Sequence, residues 1–304
     1  MMKLLNRQIF LNKEAAALPM LLESGGLPAL ISGLSSVHRA NLAAALYERL
    51  EMPLFVGCPD EASADSFARD LEAMTGVKPT VLYSRDFTFY PTLAASRQVE
   101  QQRIAVLDAL SRGESKITVA TVSALLQRTM PVDKLSSAAF EIIDGGEYPP
   151  EKIERALVRC GYERTEQVEG TGQYARRGGI LDFFSPMYPE PVRIEFWGDN
   201  IDSMGFFDVH TQRRTEAIGR CRVLPAAEAL VSLADGGLEG VSKKLLAMAD
   251  RCARHKTSQQ LKELEQTLRG DAERIANDIK LEDLDRYLPV LYAPAYGMDY
   301  IPDD

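Results

Sequence analysis

The sequence has few of the residues from which metal centres and disulfide frameworks are built. Among its 304 residues are only four cysteines and three histidines. The cysteines (Cys58, Cys160, Cys221 and Cys252) form no CxxC pair, and no histidine stands at ligand spacing from them. Zinc sites and disulfide-stapled folds need closely spaced cysteine or histidine residues. We therefore expect no metal site, and reduced thiols in the cytoplasm.

Long apolar segments and excess positive charge are also missing. No run reaches the roughly 18 apolar residues of a membrane-spanning helix. Lys3, Arg7 and Lys13 interrupt the N-terminal apolar residues, so we predict neither a membrane span nor a signal peptide. Against 35 lysines and arginines stand 44 aspartates and glutamates, a formal net charge of −9. Such a chain repels a phosphate backbone, so nucleic-acid binding would need a strongly local basic patch.

What remains is ordinary globular composition, with 45% hydrophobic and 26% charged residues. This composition excludes a disordered or low-complexity chain. At about 150 residues per domain, the length predicts two domains, or one domain and a smaller module.

Residues 1–147 alternate short apolar runs with amphipathic segments. Strands are predicted at 28–34, 53–58, 79–83, 116–122 and 139–144, and helices at 37–50, after an N-cap at Asp60, at 97–110 and at 124–128. Strands that alternate with helices are typical of βαβ units. We therefore predict an α/β domain with a largely parallel sheet over 1–147.

The pattern changes after Asp144. A helix is predicted over 151–160, followed by short strands near 163–169, 172–177, 180–185, 191–197, 200–207 and 218–224. We therefore predict a compact α+β domain over 148–226. Residues 227–304 are highly charged, with apolar residues at helical spacing, which predicts a helix-rich domain whose helices pack through one apolar face.

The junction between the first predicted strand and helix has the position, but not the chemistry, of a phosphate-binding loop. Gly33 matches the first glycine of G-x-x-x-x-G-K-[ST], whereas His38 replaces the second glycine, Arg39 the lysine and Ala40 the hydroxyl that binds magnesium. Histidine fills the space of the phosphate, and alanine holds no metal. The junction is either an ordinary strand–helix turn or a degenerate P-loop. With either interpretation we expect no ATP hydrolysis and no bound cofactor.

The strand over 191–197 carries a candidate binding surface. Side chains alternate along a strand, so Arg193 and Trp197, the only tryptophan, share a face opposite the apolar residues 192, 194 and 196. Arg177 ends an earlier strand, just before the Gly178-Gly179 turn. Tryptophan and arginine dominate interface hot spots, but a functionless cation–π pair at a hairpin edge would give the same pattern. Residues 170–222 hold seven basic and seven acidic residues, so a protein partner fits better than nucleic acid.

Two stretches resemble a known domain: GQYARRGGILDFFSP (172–186) and PVRIEFWGDNIDSMGFFDVHTQRRT (191–215). They are similar to the second domain of the bacterial transcription-repair coupling factors (the Mfd family), which is shared with the excision-repair protein UvrB. ITVATVSALLQRTMP (117–131) extends the resemblance into the first domain. The resemblance implies a RecA-like domain with a degenerate P-loop, an inserted UvrA-binding α+β domain and a helix-rich companion domain. It also implies that Arg177, Arg193 and Trp197 form the UvrA-binding surface.

The resemblance implies a non-catalytic adaptor that recruits UvrA to stalled RNA polymerase for transcription-coupled nucleotide excision repair. The altered P-loop, and the lack of room for a DNA-clamping hairpin between 87–90 and 97, separate the chain from UvrB. Family members add an RNA-polymerase-binding domain and an ATP-driven translocase. We therefore expect this chain to be truncated, the missing C-terminal domain to compete for the UvrA surface, and RNA polymerase and DNA to contact only the absent parts. Two alternatives stay open: a nucleotide-dependent, UvrB-like damage-binding protein, and a structural protein without affinity for UvrA.

Overall fold

The structure is a computed structural model and describes residues 6, 8–25, 28–85, 97–254, 259–281 and 283–301. The predicted lack of room for a hairpin before residue 97 concerns residues outside this set. The chain forms two compact units. The first combines Met1–Arg85, Ala109–Gln127 and Ile301–Asp304, and the second combines Asp86–Asp108 and Arg128–Tyr300.

The helices and strands follow one another in this order. The first part of the chain contains α1 (Lys13–Glu23), α2 (Ser36–Leu50), β1 (Leu54–Cys58), α3 (Glu61–Thr75), β2 (Thr80–Leu82), α4 (Arg97–Ser111), β3 (Ile117–Thr121), α5 (Val122–Leu126), α6 (Val132–Ala138) and β4 (Phe140–Ile143). The second part contains α7 (Pro150–Arg159), β5 (Glu163–Arg164), β6 (Gln173–Arg177), β7 (Ile180–Phe183), β8 (Val192–Trp197), β9 (Asn200–Phe207), β10 (Arg214–Ala217), β11 (Arg220–Val223), α8 (Gly237–Arg254), α9 (Gln259–Ala276) and α10 (Leu288–Leu291).

The first unit is built on a parallel sheet, as the alternation of strands and helices predicted. Its strand order is β1-β3-β2, and both pairings are parallel. The central strand β3 is buried at every position, and its β-branched residues Ile117 and Val119 pack against α3. Asp60 caps α3 as predicted, since its carboxylate accepts a 2.8 Å hydrogen bond from the backbone N–H of Ser63.

The predicted strand over 28–34 is wrong. The described residues of this segment pair with no strand, the side chain of Leu30 is 94% exposed, and Gly33 has a left-handed φ of 80°. An apolar run becomes a strand only where a neighbouring strand and a covering layer bury it. The exposure of Leu30 shows that none of the described residues forms a layer over this segment, so α2 is preceded by a loop.

The predicted fifth strand exists, but it is not part of the parallel sheet. β4 pairs antiparallel with β11, from Phe140 opposite Val223 to Ile143 opposite Arg220. The reason is that β4 and β11 lie directly before and after the α+β segment in the sequence, so their antiparallel pairing closes that segment at its base.

The second unit contains a six-stranded sheet in the order β10-β9-β8-β7-β6-β5. Neighbouring strands are antiparallel except β5 and β6. The Gly178-Gly179 turn joins β6 to β7, and Gly178 has a φ of 61°, a conformation that glycine adopts without strain. The sequence predicted most of these strands but missed β10, whose four residues are all exposed.

The helical pair α8 and α9 follows the sheet, as the apolar spacing predicted. Val241 and Leu245 on α8 are buried, as are Leu268 and Ile275 on α9, so each helix uses one apolar stripe. In the part of the chain that the structure describes, no helix is both long and apolar enough to cross a membrane.

Candidate protein-binding face of the six-stranded sheet

The strand register brings the two predicted arginines to one face of the sheet. Arg193 on β8 is opposite Asp182 on β7, while Arg177 on β6 is opposite Ile180, which is itself opposite Glu195. Directly opposed residues point to the same face, and so do residues two apart on one strand. Arg177, Asp182 and Arg193 therefore share a face.

Asp182 joins the two arginines. Its side chain is 2% exposed, and its Oδ1 and Oδ2 accept hydrogen bonds from Arg193 Nε at 2.7 Å and Nη2 at 2.8 Å. Arg177 Nη2 donates to the same Oδ2 at 3.2 Å. Sequence reasoning did not single out Asp182, although it lies within the GILDFF stretch. An acidic residue in an otherwise apolar strand was the available signal.

Arg193 is largely engaged within the domain. Besides Asp182, its Nη1 donates to the backbone oxygen of Gln212 at 3.1 Å and its Nη2 to Gln212 Oε1 at 3.0 Å. Its guanidinium carbon lies 4.3 Å from the centre of the Phe207 ring. Only 14% of the side chain is exposed, and hydrogen bonding to Asp182 raises the pKa of Arg193. The cation–π partner of Arg193 is thus Phe207, whereas the sequence had suggested Trp197.

The loop between β9 and β10 presents Gln212 to this arginine. Gln212 has a φ of 59°, in the left-handed region that is uncommon for residues other than glycine. Its backbone N–H donates to the backbone oxygen of Asp208 at 2.8 Å. The Asp208 carboxylate accepts from the backbone N–H of Thr211 at 2.7 Å and of His210 at 3.1 Å. The bond from Thr211 is the main reason that the pKa of Asp208 is lowered.

Arg177 is in a different position from Arg193. Its side chain is 52% exposed, and its bond to Asp182 is the longest of the three at that carboxylate. Asp182 is bonded to only one of the guanidinium nitrogens of Arg177, Nη2. Arg177 can therefore make a second ion pair with a group that approaches the sheet.

Trp197 ends β8 with its side chain 82% exposed. Next to it, the backbone N–H of Phe196 donates to the Gly179 oxygen at 2.7 Å, which fixes the end of β8 against the turn that follows Arg177. An indole this exposed buries little apolar area within its own chain. It is therefore available to a partner.

On the opposite face of the sheet, β6 is attached to α7. Arg176, the neighbour of Arg177, points to that side and pairs with Glu154 at 2.6 Å and with Glu151 at 2.8 Å. These two glutamates, Glu154 first, raise the pKa of Arg176. One arginine of the Arg176-Arg177 pair thus attaches the helix, and the other faces outward.

The predicted P-loop residues lie in the first unit. His38 and Arg39 are exposed at the start of α2, and the methyl group of Ala40 is fully buried. His38 Nδ1 lies 2.8 Å from Ser35 Oγ, and Arg39 Nε donates to the Leu34 oxygen at 3.3 Å. These side chains are thus bonded to the loop itself.

Within the described residues, no group of three or more His, Cys, Asp and Glu side chains is placed to hold a metal ion. The buried thiols are also poor nucleophiles, because burial raises the pKa of Cys160 to about 11 and that of Cys221 to about 12.

Comparison with known proteins identifies the domain that carries this face. Residues 140–228 match the family described as "UvrB interaction domain". This segment is therefore similar to that domain. Beyond this domain the chain is similar to transcription-repair-coupling factors, so the resemblance inferred from the sequence is confirmed. The factor of Bacillus subtilis (strain 168) is 29% identical over 286 residues, 90% of this chain. That of Myxococcus xanthus is 31% identical over 227 residues, 72% of this chain.

The chain spans only a small part of these relatives. The matches cover 23% of the Bacillus subtilis protein and 19% of the Myxococcus xanthus protein. The likeness thus concerns one segment of a much longer type of protein.

Proposed function

We propose that the sheet face with Arg177, Arg193 and Trp197 binds UvrA, and that the chain acts as a non-catalytic adaptor in transcription-coupled nucleotide excision repair. The observation that carries this proposal is the 82% exposed indole of Trp197 beside a turn that places the half-exposed guanidinium of Arg177 on the same rigid sheet. An aromatic anchor next to an arginine is the usual composition of an interface hot spot.

The three residues have different roles in this proposal. Arg177 pairs with a carboxylate of the partner, and Trp197 enters an apolar recess. Arg193 is held by Asp182 and Gln212 and presents only a small part of its surface. Its main contribution is to hold Asp182, and through Asp182 the position of Arg177.

Binding of the purified chain to purified UvrA tests the proposal. Arg177→Ala and Trp197→Ala should each weaken binding by about 2 kcal/mol, or roughly 30-fold, as hot-spot residues do. Arg251→Ala and Leu246→Ala are matched controls, because both residues are exposed on α8. Unchanged binding of the Arg177→Ala/Trp197→Ala double variant would show that UvrA does not use this face.

We further propose a three-part division of the chain: a RecA-like domain over 1–147 that has lost nucleotide binding, a UvrA-binding domain over 148–226 and a helix-rich companion domain over 227–304. The parallel order β1-β3-β2 and the buried methyl of Ala40 at the magnesium-ligand position support this interpretation. Titration with labelled ATP should show no saturable binding. Saturable binding that Arg39→Ala abolishes would instead favour the nucleotide-dependent, UvrB-like function.

The remaining partners belong to the longer proteins. We expect RNA polymerase and DNA to contact regions outside the matched segment. We also expect a C-terminal domain of such a protein to compete with UvrA for Trp197. The isolated chain should then bind UvrA more tightly than a longer relative does, which competition binding with the two proteins can measure.

A further inference from the structure

We propose that a groove between α6, β4 and α7 is a docking site for an acidic peptide segment that carries one large apolar side chain. None of Arg177, Arg193 and Trp197 lines the groove, although the backbone N–H of the lining residue Tyr148 donates to the Asp199 oxygen in the turn after Trp197. Glu151 and Glu154 attach α7 to the sheet through Arg176, whereas the groove lies along other residues of α7, including Lys152 and Ala156. The proposal therefore does not depend on UvrA binding.

The groove has an apolar floor. Its volume is about 330 Å³, and its apolar lining consists of Ala138, Phe140, Ile142, Ile153, Ala156 and Cys160. The thiol of Cys160 donates to the Ala138 oxygen at 3.3 Å, which satisfies the polar group at its base. This volume is at the lower end for ligand sites. It suits one aromatic or large aliphatic side chain better than a nucleotide or a large cofactor.

The rim of the groove is basic. Lys152 and Arg159 line it, and Arg155 lies between them on the same helix. Residues three, four and seven apart form one stripe on a helix, and these three side chains are exposed. Neither Lys152 nor Arg159 has an ion-pair partner among the residues that the structure describes.

The charge of the groove determines which occupant fits. The lining holds one acidic residue, Glu141, against two basic residues, Lys152 and Arg159. Arg222 lies 3.8 Å from Glu141 but is itself bonded to Asp108 at 2.7 and 2.8 Å. Lys152 and Arg159 therefore leave local positive charge in a chain whose net charge is −9. Charge complementarity favours an acidic segment, and the apolar floor gives such a segment a place for an anchor side chain. A second copy of this acidic chain fits less well, because the two copies repel each other over the rest of their surfaces.

Selection from a phage library of random dodecapeptides on the purified chain tests the proposal. Selected peptides should carry acidic residues around an aromatic or large aliphatic residue. In fluorescence anisotropy, Lys152→Glu/Arg159→Glu should weaken their binding about tenfold or more. Ala156→Phe fills the groove without a change of charge and should also weaken peptide binding about tenfold or more. Circular dichroism checks that this variant is folded.

Two controls decide whether binding is local. Lys243→Glu/Arg251→Glu makes the same charge change on α8 and should alter affinity less than about twofold, as should Trp197→Ala. The proposal would be overturned if the α8 variant lost as much affinity for the peptides as Lys152→Glu/Arg159→Glu, or if Trp197→Ala lost affinity. It would also be overturned if the selection yielded no peptide whose binding depends on Lys152 and Arg159. A dimer in analytical ultracentrifugation that Lys152→Glu/Arg159→Glu dissociates would also overturn it, because the occupant would then be a second copy.

Discussion

Replacement of Asp182 by asparagine tests the assignment of Arg193 as a residue held inside the domain. Asparagine preserves the shape of the side chain, but one carboxylate oxygen becomes an NH₂ group. That group faces the N–H donors of Arg193, which now bond to the carboxylate at 2.7 and 2.8 Å. The substitution therefore removes a charge-assisted pair and leaves a largely buried guanidinium without its counter-charge.

The burial of the Asp182–Arg193 ion pair determines how much free energy of unfolding Asp182→Asn should remove. Removal of one partner of a buried ion pair destabilises a protein by about 3–5 kcal/mol. Arg193 keeps two bonds to Gln212 and is 14% exposed, so we expect about 2–3 kcal/mol for Asp182→Asn. Arg177→Ala should differ, because Arg177 is 52% exposed and exposed pairs contribute about 0–1 kcal/mol.

Urea unfolding measures both variants. Circular dichroism follows the whole chain and does not depend on the indole of Trp197, which is already 82% exposed in the folded chain. With a urea dependence of about 2 kcal/mol/M, Asp182→Asn should lower the midpoint by about 1 M and Arg177→Ala by less than about 0.5 M. An unchanged midpoint for Asp182→Asn, or a larger shift for Arg177→Ala, would refute the reasoning.

Three further predictions concern the support of the same face. Gly205→Ala should separate β10 from β9 and destabilise the domain by about 2 kcal/mol in urea unfolding, because the added Cβ would lie 2.5 Å from the Glu216 oxygen. Gly219→Ala is the control, since a Cβ at that position would have no atom within 4 Å. Hydrogen bonding to Thr211 lowers the pKa of Asp208, so its contribution to stability is present at neutral pH and is lost as the pH falls through that pKa. The difference in unfolding midpoint between the native chain and Asp208→Asn should therefore narrow as the pH falls in the acidic range, and a difference that stays constant would contradict this. Trp197→Ala should change the unfolding free energy by less than about 0.5 kcal/mol, since the indole is 82% exposed.

The elements that the sequence predicted correctly are those whose local residue pattern matches their position in the fold. The β-branched run of β3, the Asp60 cap and the Gly178-Gly179 turn each depend on neighbours close in the sequence. The prediction at 28–34 failed because an apolar run does not reveal whether a covering layer exists. The pairing of β4 could not be predicted from local sequence either, because its partner β11 lies about 80 residues further along the chain.

Alternation along β8 predicted the exposed side of Trp197 but not the state of Arg193. Periodicity shows which face a side chain occupies, and it does not show what covers that face. The groups that cover Arg193 come from β7, from β9 and from the loop at Gln212, and no local sequence pattern indicates that these groups meet. Asp182 was missed for the same reason, because its importance comes from contacts across strands.

The shared carboxylate changes how binding data on this face should be interpreted. Arg177 and Arg193 both bond to Asp182, so loss of Arg193 leaves a buried carboxylate with only the 3.2 Å bond to Arg177. Arg177 would then turn inward toward Asp182 and be withdrawn from a partner. Weak binding by Arg193→Ala is thus expected even if Arg193 never touches UvrA. An Asp182→Asn/Arg193→Ala double variant separates a direct contact of Arg193 with UvrA from an effect through Arg177. It removes both charges of the ion pair, so no buried carboxylate remains to draw Arg177 inward. Recovery of affinity in that variant would assign Arg193 a positioning role, and no recovery would assign it a direct contact.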